Sequence, residues 1–267
     1  MTYQTKLPTI DEFFLSQRLA ESRALVRDVV AQSKPPLILQ FSGGNDSMAM
    51  AGLVKEVTDR FICCYMISGI EFPEAIEFAG KAANDLGAPI LYSRPEDYKG
   101  GLFKRLATFR RFPTVESTWC SRDLKIRAQK RVLIANFGRV PLYKLVGVRK
   151  FESNRRRMLY SANQLMREDP EHKKSFEVFP LLMWTDDDVI NYLKMAGLPI
   201  AGLYKRFGIS GCYWCPFYQV DIYRRVLREL PNLYDEFIEW ENRLGAPSVI
   251  NQTYLRDLKE EILREKD

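Results

Sequence analysis

One histidine in 267 residues removes a class of mechanisms at the outset. The side chain that most often moves protons near neutral pH occurs only as His172, inside the polar stretch "REDPEHKKSF". That stretch reads as a loop and His172 as a solvated residue within it, so general acid–base chemistry built on histidine is not expected. Cysteine is scarce as well: five in a chain this long do not make a secreted disulfide framework. Long apolar runs are missing, since "LILQF" and "FICCYMI" are strand-sized, far below the roughly 18 to 20 residues of a membrane span. The opening "MTYQTKLPTIDEFF" has neither an apolar signal core nor a small-residue cleavage pattern, so no targeting segment is expected. These absences point to a reducing, cytoplasmic setting with no membrane partner. Internal repeats, low-complexity tracts and long linkers are also lacking.

What is present is an apolar share of 46%, enough for a sizeable core, and a net charge of +6. The cations cluster in "FKRLATFRRF" (103–112), "SRDLKIRAQKR" (121–131) and "RKFESNRRR" (149–157). Such clusters suit a polyanionic partner such as nucleic acid, and they equally suit a plain solvated face.

Strand and helix patterns alternate. The apolar spacing predicts a helix over 12–33, a buried strand over 35–41 and a helix from Asp46 to Val57. It then predicts strands over 60–68, "PILYS" and 142–148, with helices over 73–87 and 121–138 between them. Alternation of this kind implies a parallel sheet covered on both faces, with ligands at the carboxyl ends of its strands. After "WTDDDVINYLKMAG" the strand pattern stops, and 206–267 reads as a cysteine-bearing loop followed by helices.

The strand over 35–41 runs straight into "SGGNDS" and then a helix. Gly43 and Gly44 permit positive φ and close backbone approach, so amides can turn toward an anion at the positive end of the following helix. Ser42 and Ser47 offer hydroxyls, and Asp46 could orient a metal ion on phosphates. The string is not a Walker A loop, which has wider glycine spacing and a lysine before its hydroxyl residue. A bare glycine pair would suit an ordinary tight turn equally well.

The whole string resembles the PP-loop of the ATP pyrophosphatase superfamily. Further segments narrow the resemblance to the phosphoadenosine phosphosulfate reductase family: "SGIEFPE" (68–74), "GVRKFESNRR" (147–156), "FPLLMWTDDDVINYLKMAGLPIAGLY" (179–204) and "GISGCYWCPF" (208–217). The resemblance implies an α/β fold: a parallel-sheet PP-loop domain of the adenine nucleotide alpha hydrolase-like kind over 1–205, then a cysteine-motif loop and helical segment over 206–267. It also implies that Ser42, Gly43, Gly44, Asp46, Ser47, Gly147, Arg149 and Arg155 hold ATP and Mg2+. Among them Asp46, Ser47 and Arg149 are expected to be catalytic. Asn45 departs from the pattern, because many members carry lysine there; a direct cationic contact to the phosphates is then either absent or supplied by Arg149 or Arg155.

Cys212 and Cys215 form a C-x2-C pair, and Cys120 in "TWCSRDLK" stands where family members carry another cluster cysteine. The three are expected to ligate a [4Fe-4S] cluster; a structural zinc site and simple buried thiols are the other readings. Cys63 and Cys64 fall in a strand and read as small buried residues. Sulfonucleotide reductases of this family attack sulfur with a thiol in a C-terminal cysteine motif, and no cysteine follows Cys215 in this sequence. A PP-loop with a three-thiolate cluster instead resembles the sulfur-inserting ATP pyrophosphatases, closest in character to those of DNA phosphorothioation. The expected activity is therefore cleavage of ATP to AMP and pyrophosphate, activating a nucleic-acid oxygen for replacement by sulfur. DNA stands ahead of transfer RNA as substrate, with a cysteine desulfurase as sulfur donor and other modification-complex subunits as partners. Transfer RNA thiolation and phosphosulfate reduction are the alternatives.

Overall fold

The computed structural model describes residues 10–95, 101–209, 211–249 and 252–265. The start of the chain before Ile10, where no targeting segment is expected, lies outside the described residues. In chain order the elements are α1 (Ile10–Gln32), β1 (Leu37–Gln40), α2 (Asn45–Val57), β2 (Phe61–Met66), α3 (Pro73–Asp85) and β3 (Ile90–Ser93). There follow α4 (Gly101–Phe109), a π-helical turn at Ser121–Ile126, α5 (Arg127–Phe137), β4 (Tyr143–Val146), a short 3-10 turn at Lys150–Glu152 and α6 (Asn154–Leu159). The chain continues through β5 (Met166–Glu168), β6 (Phe176–Val178), α7 (Asp186–Met195), α8 (Gly202–Phe207), α9 (Val220–Glu229), α10 (Asp235–Leu244) and α11 (Leu255–Arg264).

The six strands form one sheet in the order β3-β2-β1-β4-β6-β5. β1 is parallel to β2, with Leu39 opposite Cys63, and parallel to β4, with Leu39 opposite Leu145. Its Leu37, Ile38 and Leu39 are fully buried, as an unbroken apolar run on a two-sided central strand requires. Cys63 and Cys64 are buried in β2, as expected for small residues in a strand. β6 is parallel to β4, and β5 closes the edge antiparallel to β6, so the sheet is mixed and mostly parallel.

β5 and β6 are not visible in the sequence pattern. Each is three residues long, and "MRE" and "FEV" carry charges where a strand pattern looks for apolar residues. The turn between them also corrects the reading of His172, which is buried rather than solvated. Its Nδ1 pairs with the Ser175 hydroxyl, and Ser175 Oγ accepts the Leu142 amide at 2.9 Å. Asp169 in the same turn pairs with buried Lys144 of β4 at 2.5 Å. Asp169, His172 and Ser175 are thus folded inward against polar partners, whereas Glu168, Lys173 and Lys174 of the same stretch stay exposed.

The chain divides into two compact units, each made of separated stretches. The first comprises 1–64, 80–91 and 137–200; the second comprises 65–79, 92–136 and 201–267. In the first, α7 is fixed by polar ties as well as packing: the Tyr192 hydroxyl donates to Glu56 of α2 at 2.7 Å, and Arg18 of α1 pairs with Asp188 at 2.5 Å. The second has an aromatic core in which Trp214 stacks on Phe237 with ring centres 5.1 Å apart. There Arg105 of α4, read from sequence as part of a basic cluster, is buried against Asp123 at 2.6 Å and lies over the Phe109 ring. It belongs to the interior, whereas Arg110 and Arg111 are exposed. No helix among the described residues is long and apolar enough to cross a membrane.

Candidate functional site

In the first unit, β1 delivers the chain into residues 42–44 and α2 begins at Asn45. Gly43 has φ 73°, a conformation that costs little only without a Cβ. Ser42 and Ser47 tie this loop to itself: Ser47 Oγ donates to the Gly44 carbonyl at 2.9 Å and accepts the Ser42 amide at 3.2 Å, while the Gly44 amide donates to Ser42 Oγ at 3.3 Å. Asn45 is buried, and its carboxamide oxygen has no hydrogen-bond partner among the described residues. No cation therefore stands at the loop position where many members carry lysine.

Arg149 supplies the positive charge from the carboxyl side of β4. Its guanidinium Nε donates to Asp46 Oδ1 at 2.8 Å, and its Nη2 lies 2.7 Å from Asp186 Oδ1. The Arg149 side chain is 7% exposed and that of Asp186 is 79% exposed, so a buried cation meets a carboxylate at the surface. Burial pushes the Asp46 carboxyl above the ordinary aspartate range, opposed by Arg149. Arg156 also pulls it down, and Asp186 pushes it up. Glu152, which pairs with Arg156, is likewise raised by burial.

Gly147 is placed for close approach: a Cβ there would come within 3.2 Å of the Asp46 carbonyl carbon and 3.4 Å of the Ser47 amide nitrogen. Arg155 lies on α6 and is exposed. The structure thus draws Asp46, Ser47, Gly147 and Arg149 together, and it adds Asp186 and Glu152, which the sequence reading missed. A signal for Asp186 was present. In "WTDDDV" the α7 capping box uses only Thr185 and Asp188, leaving two further acidic residues that the cap does not require.

The second unit holds the three cysteines. Cys212 pairs with Glu71 in an isolated antiparallel bridge, where the Phe72 amide donates to the Gly211 carbonyl at 2.8 Å and the Tyr213 amide to the Ile70 carbonyl at 2.9 Å. The Glu71 carboxylate is held by the Ser68 amide at 2.8 Å and the Gly69 amide at 2.9 Å. Tyrosine hydroxyls fix the C-x2-C loop from behind: Tyr218 donates to the Cys212 carbonyl at 3.0 Å and Tyr223 to the Cys215 carbonyl at 2.6 Å.

Cys120 immediately precedes the π-helical turn, whose extra residue per turn changes the direction of the side chains beyond it. Lys125 on that turn donates to Cys212 Sγ at 3.1 Å. Burial pushes Cys120 up to about 11 and also raises Cys212 and Cys215, with Lys125 lowering all three. Each of Cys212 and Cys215 raises Cys120 further, so the three thiols lie within one another's field. Among the described residues no three His, Cys, Asp or Glu side chains are grouped so as to hold a metal ion. Three half-buried thiols, with the Lys125 ammonium beside Cys212, are the donor set available to a metal centre in this unit.

Comparison with known proteins identifies the fold and the family. An uncharacterized protein of Methanocaldococcus jannaschii is 25% identical over 221 residues, covering 82% of this chain and 43% of that relative. The chain thus spans less than half the length of that relative. Sulfate adenylyltransferase subunit 2 of Sulfurovum is 28% identical over 215 residues, covering 71% of this chain and 66% of the relative. Among solved structures, the U34-tRNA thiolase NcsA of Methanococcus maripaludis with its [4Fe-4S] cluster superposes with a TM-score of 0.51 at 18% identity, covering 89% of this chain and 83% of that one. This likeness shows the fold, a PP-loop α/β sheet with helices. Residues 36–218, from the first strand through the C-x2-C loop, match the phosphoadenosine phosphosulfate reductase domain, and the chain belongs to that family.

Proposed function

We propose that this protein cleaves ATP to AMP and pyrophosphate to activate a nucleic-acid oxygen for replacement by sulfur, with a DNA backbone phosphate as the first candidate substrate. The carrying observation is the pairing, in one chain, of a PP-loop whose Asp46 is held by Arg149 with a separate unit that contains the three half-buried thiols Cys120, Cys212 and Cys215. Nucleotide chemistry alone would need only the first.

In this reading the substrate oxygen attacks the α-phosphorus of ATP, the bond to the bridging oxygen breaks, and pyrophosphate leaves. Sulfide, released from the donor persulfide by a thiol reductant that is oxidised to its disulfide, then displaces AMP, which carries the original oxygen away. Asp46 would hold Mg2+ against the phosphates, and Arg149 would offset negative charge on the leaving group. The turn at Gly43 and Gly44, together with the first amides of α2, would receive phosphate oxygens. Arg155, exposed on α6, would meet either the phosphates or the substrate backbone. Cys120, Cys212 and Cys215 would hold a [4Fe-4S] cluster, which would supply iron open to a sulfur ligand. Glu71 and Lys125 would keep Cys212 in place beside it.

The sulfate adenylyltransferase relative and the thiolase fold neighbour support two other acceptors, sulfate and transfer RNA. The test separates all three. Anaerobically purified protein is incubated with ATP, Mg2+, a cysteine desulfurase with labelled cysteine, dithiothreitol as the thiol reductant, and in turn duplex DNA, transfer RNA or sulfate. The expected result is AMP and pyrophosphate in equal amounts, with label retained in DNA. Label in transfer RNA, or adenylyl sulfate from the sulfate reaction, would replace the DNA reading.

Gly147 gives a further check on the loop. Gly147→Ala forces its new methyl group against the Asp46–Ser47 backbone, and a displacement of a few tenths of an ångström there is expected to lower kcat/KM for ATP roughly tenfold. Wild-type kinetics in a folded Gly147→Ala protein would remove this loop from the nucleotide site.

A further inference from the structure

Arg149 carries five N–H donors in a planar fork, and the structure assigns only one edge of that fork. Nε is on Asp46 and Nη2 is on Asp186, at 2.8 and 2.7 Å. Nη1 has no partner among the described residues. One carboxylate contact would leave the guanidinium free to tilt about it, whereas two along the same edge fix its plane. The second contact comes from a rigid place. Asp186 is the first residue of α7, whose capping box is complete and whose body is tied to α1 and α2 by Asp188 and Tyr192.

From this arrangement we infer that Asp186 is a positioning residue of the nucleotide site: with Asp46 it clamps one edge of Arg149 so that Nη1 is presented to the pyrophosphate portion of the substrate. The inference deepens the reading given above and rests on it for the identity of the ligand. Freezing a long arginine side chain costs conformational entropy, and a clamp already in place spares the ligand that cost when it binds. Fold stability alone does not account for the contact. Asp186 is 79% exposed, and a carboxylate in the first turn of α7 would be favoured by the helix dipole whether or not it reached Arg149.

Asp187 provides the control. It lies one residue further along the same first turn, is exposed, and has no contact with Arg149. Asp187→Asn removes the same charge from the helix end and leaves the clamp intact. Asp186→Asn removes the charge and leaves at most a weaker neutral hydrogen bond to Arg149, and Asp186→Glu restores the carboxylate on a longer arm.

The readout is calorimetric binding of magnesium pyrophosphate to the full chain, with thermal unfolding of each variant and, in parallel, pyrophosphate release from ATP. Asp186→Asn is expected to bind magnesium pyrophosphate about tenfold more weakly. Asp187→Asn should match wild type within about twofold, and Asp186→Glu should fall between wild type and Asp186→Asn, while both asparagine variants unfold at closely similar temperatures. Equal losses in Asp186→Asn and Asp187→Asn would reduce the effect to the helix dipole and overturn the inference. Tighter binding in Asp186→Asn would mark Asp186 as a competitor of phosphate for Arg149, which also overturns it. So would a wild-type chain that does not bind magnesium pyrophosphate. If binding depends on Asp186 as expected but ATP is not cleaved with any acceptor, the clamp stands and the proposed activity fails.

Discussion

Asp46→Ala is expected to lower pyrophosphate release from ATP on the order of a thousandfold while the protein stays folded. Asp46 is the carboxylate on the loop that could hold a metal ion on the phosphates, and it is also one of the two anchors of Arg149. In the proposed reading its loss would remove a metal ligand and loosen the cation beside it, two electrostatic contributions that would fall at the developing charge. The fold should survive because Asp46 stands in the first turn of α2 and Arg149 keeps Asp186 as a partner. Steady-state pyrophosphate release and a thermal melt of the purified variant decide the matter. An Asp46→Ala protein that turns over as wild type would remove this loop from catalysis.

The second large effect concerns metal content. Protein prepared without oxygen should be brown and carry about four iron and four sulfide per chain. Serine in place of Cys120, Cys212 or Cys215 should abolish the cluster in each case, because oxygen matches iron–sulfur chemistry more poorly than thiolate does. Cys63→Ser and Cys64→Ser should keep it, since both thiols are buried in β2 of the other unit. Burial adds a condition, because it pushes the Cys120 thiol up to about 11 and so favours its protonated form at neutral pH. Cluster loading must therefore displace protons from half-buried thiols, and loading should be slower at lower pH. Iron and acid-labile sulfide assays with an absorption spectrum provide the measurement. Colourless anaerobic protein holding one zinc would establish a structural metal knuckle in place of the cluster.

The PP-loop was legible because its chemistry is local: backbone shape, hydroxyls and carboxylate all lie within residues 42–47. The central strands were legible because burial on both faces demands unbroken apolar runs. Asp186 and Glu152 were not, since they meet Asp46 only after β4 and α7 bring distant segments together. Lys125 was hidden by the π-helical turn, whose side-chain directions ordinary helical spacing does not give. His172 was misread because polar neighbours suggest solvent, although here they satisfy one another inside a turn. Arg105 was misread for a related reason: a charge in a basic cluster looks solvent-facing until a buried partner, Asp123, is brought to it.

The discontinuous second unit bears on how the protein is made. Its stretches lie at 65–79, 92–136 and 201–267, so translation supplies Cys120 long before Cys212 and Cys215. At about 5–20 residues per second, the roughly 90 intervening residues take about 5 to 20 seconds to emerge. Throughout that interval Cys120 has neither the C-x2-C loop beside it nor the helices α9 to α11 that complete its unit's core. If Cys120, Cys212 and Cys215 hold the proposed cluster, a nascent chain would not have the full three-thiol set until residue 215 has been made, so metal delivery would follow synthesis of the C-x2-C loop.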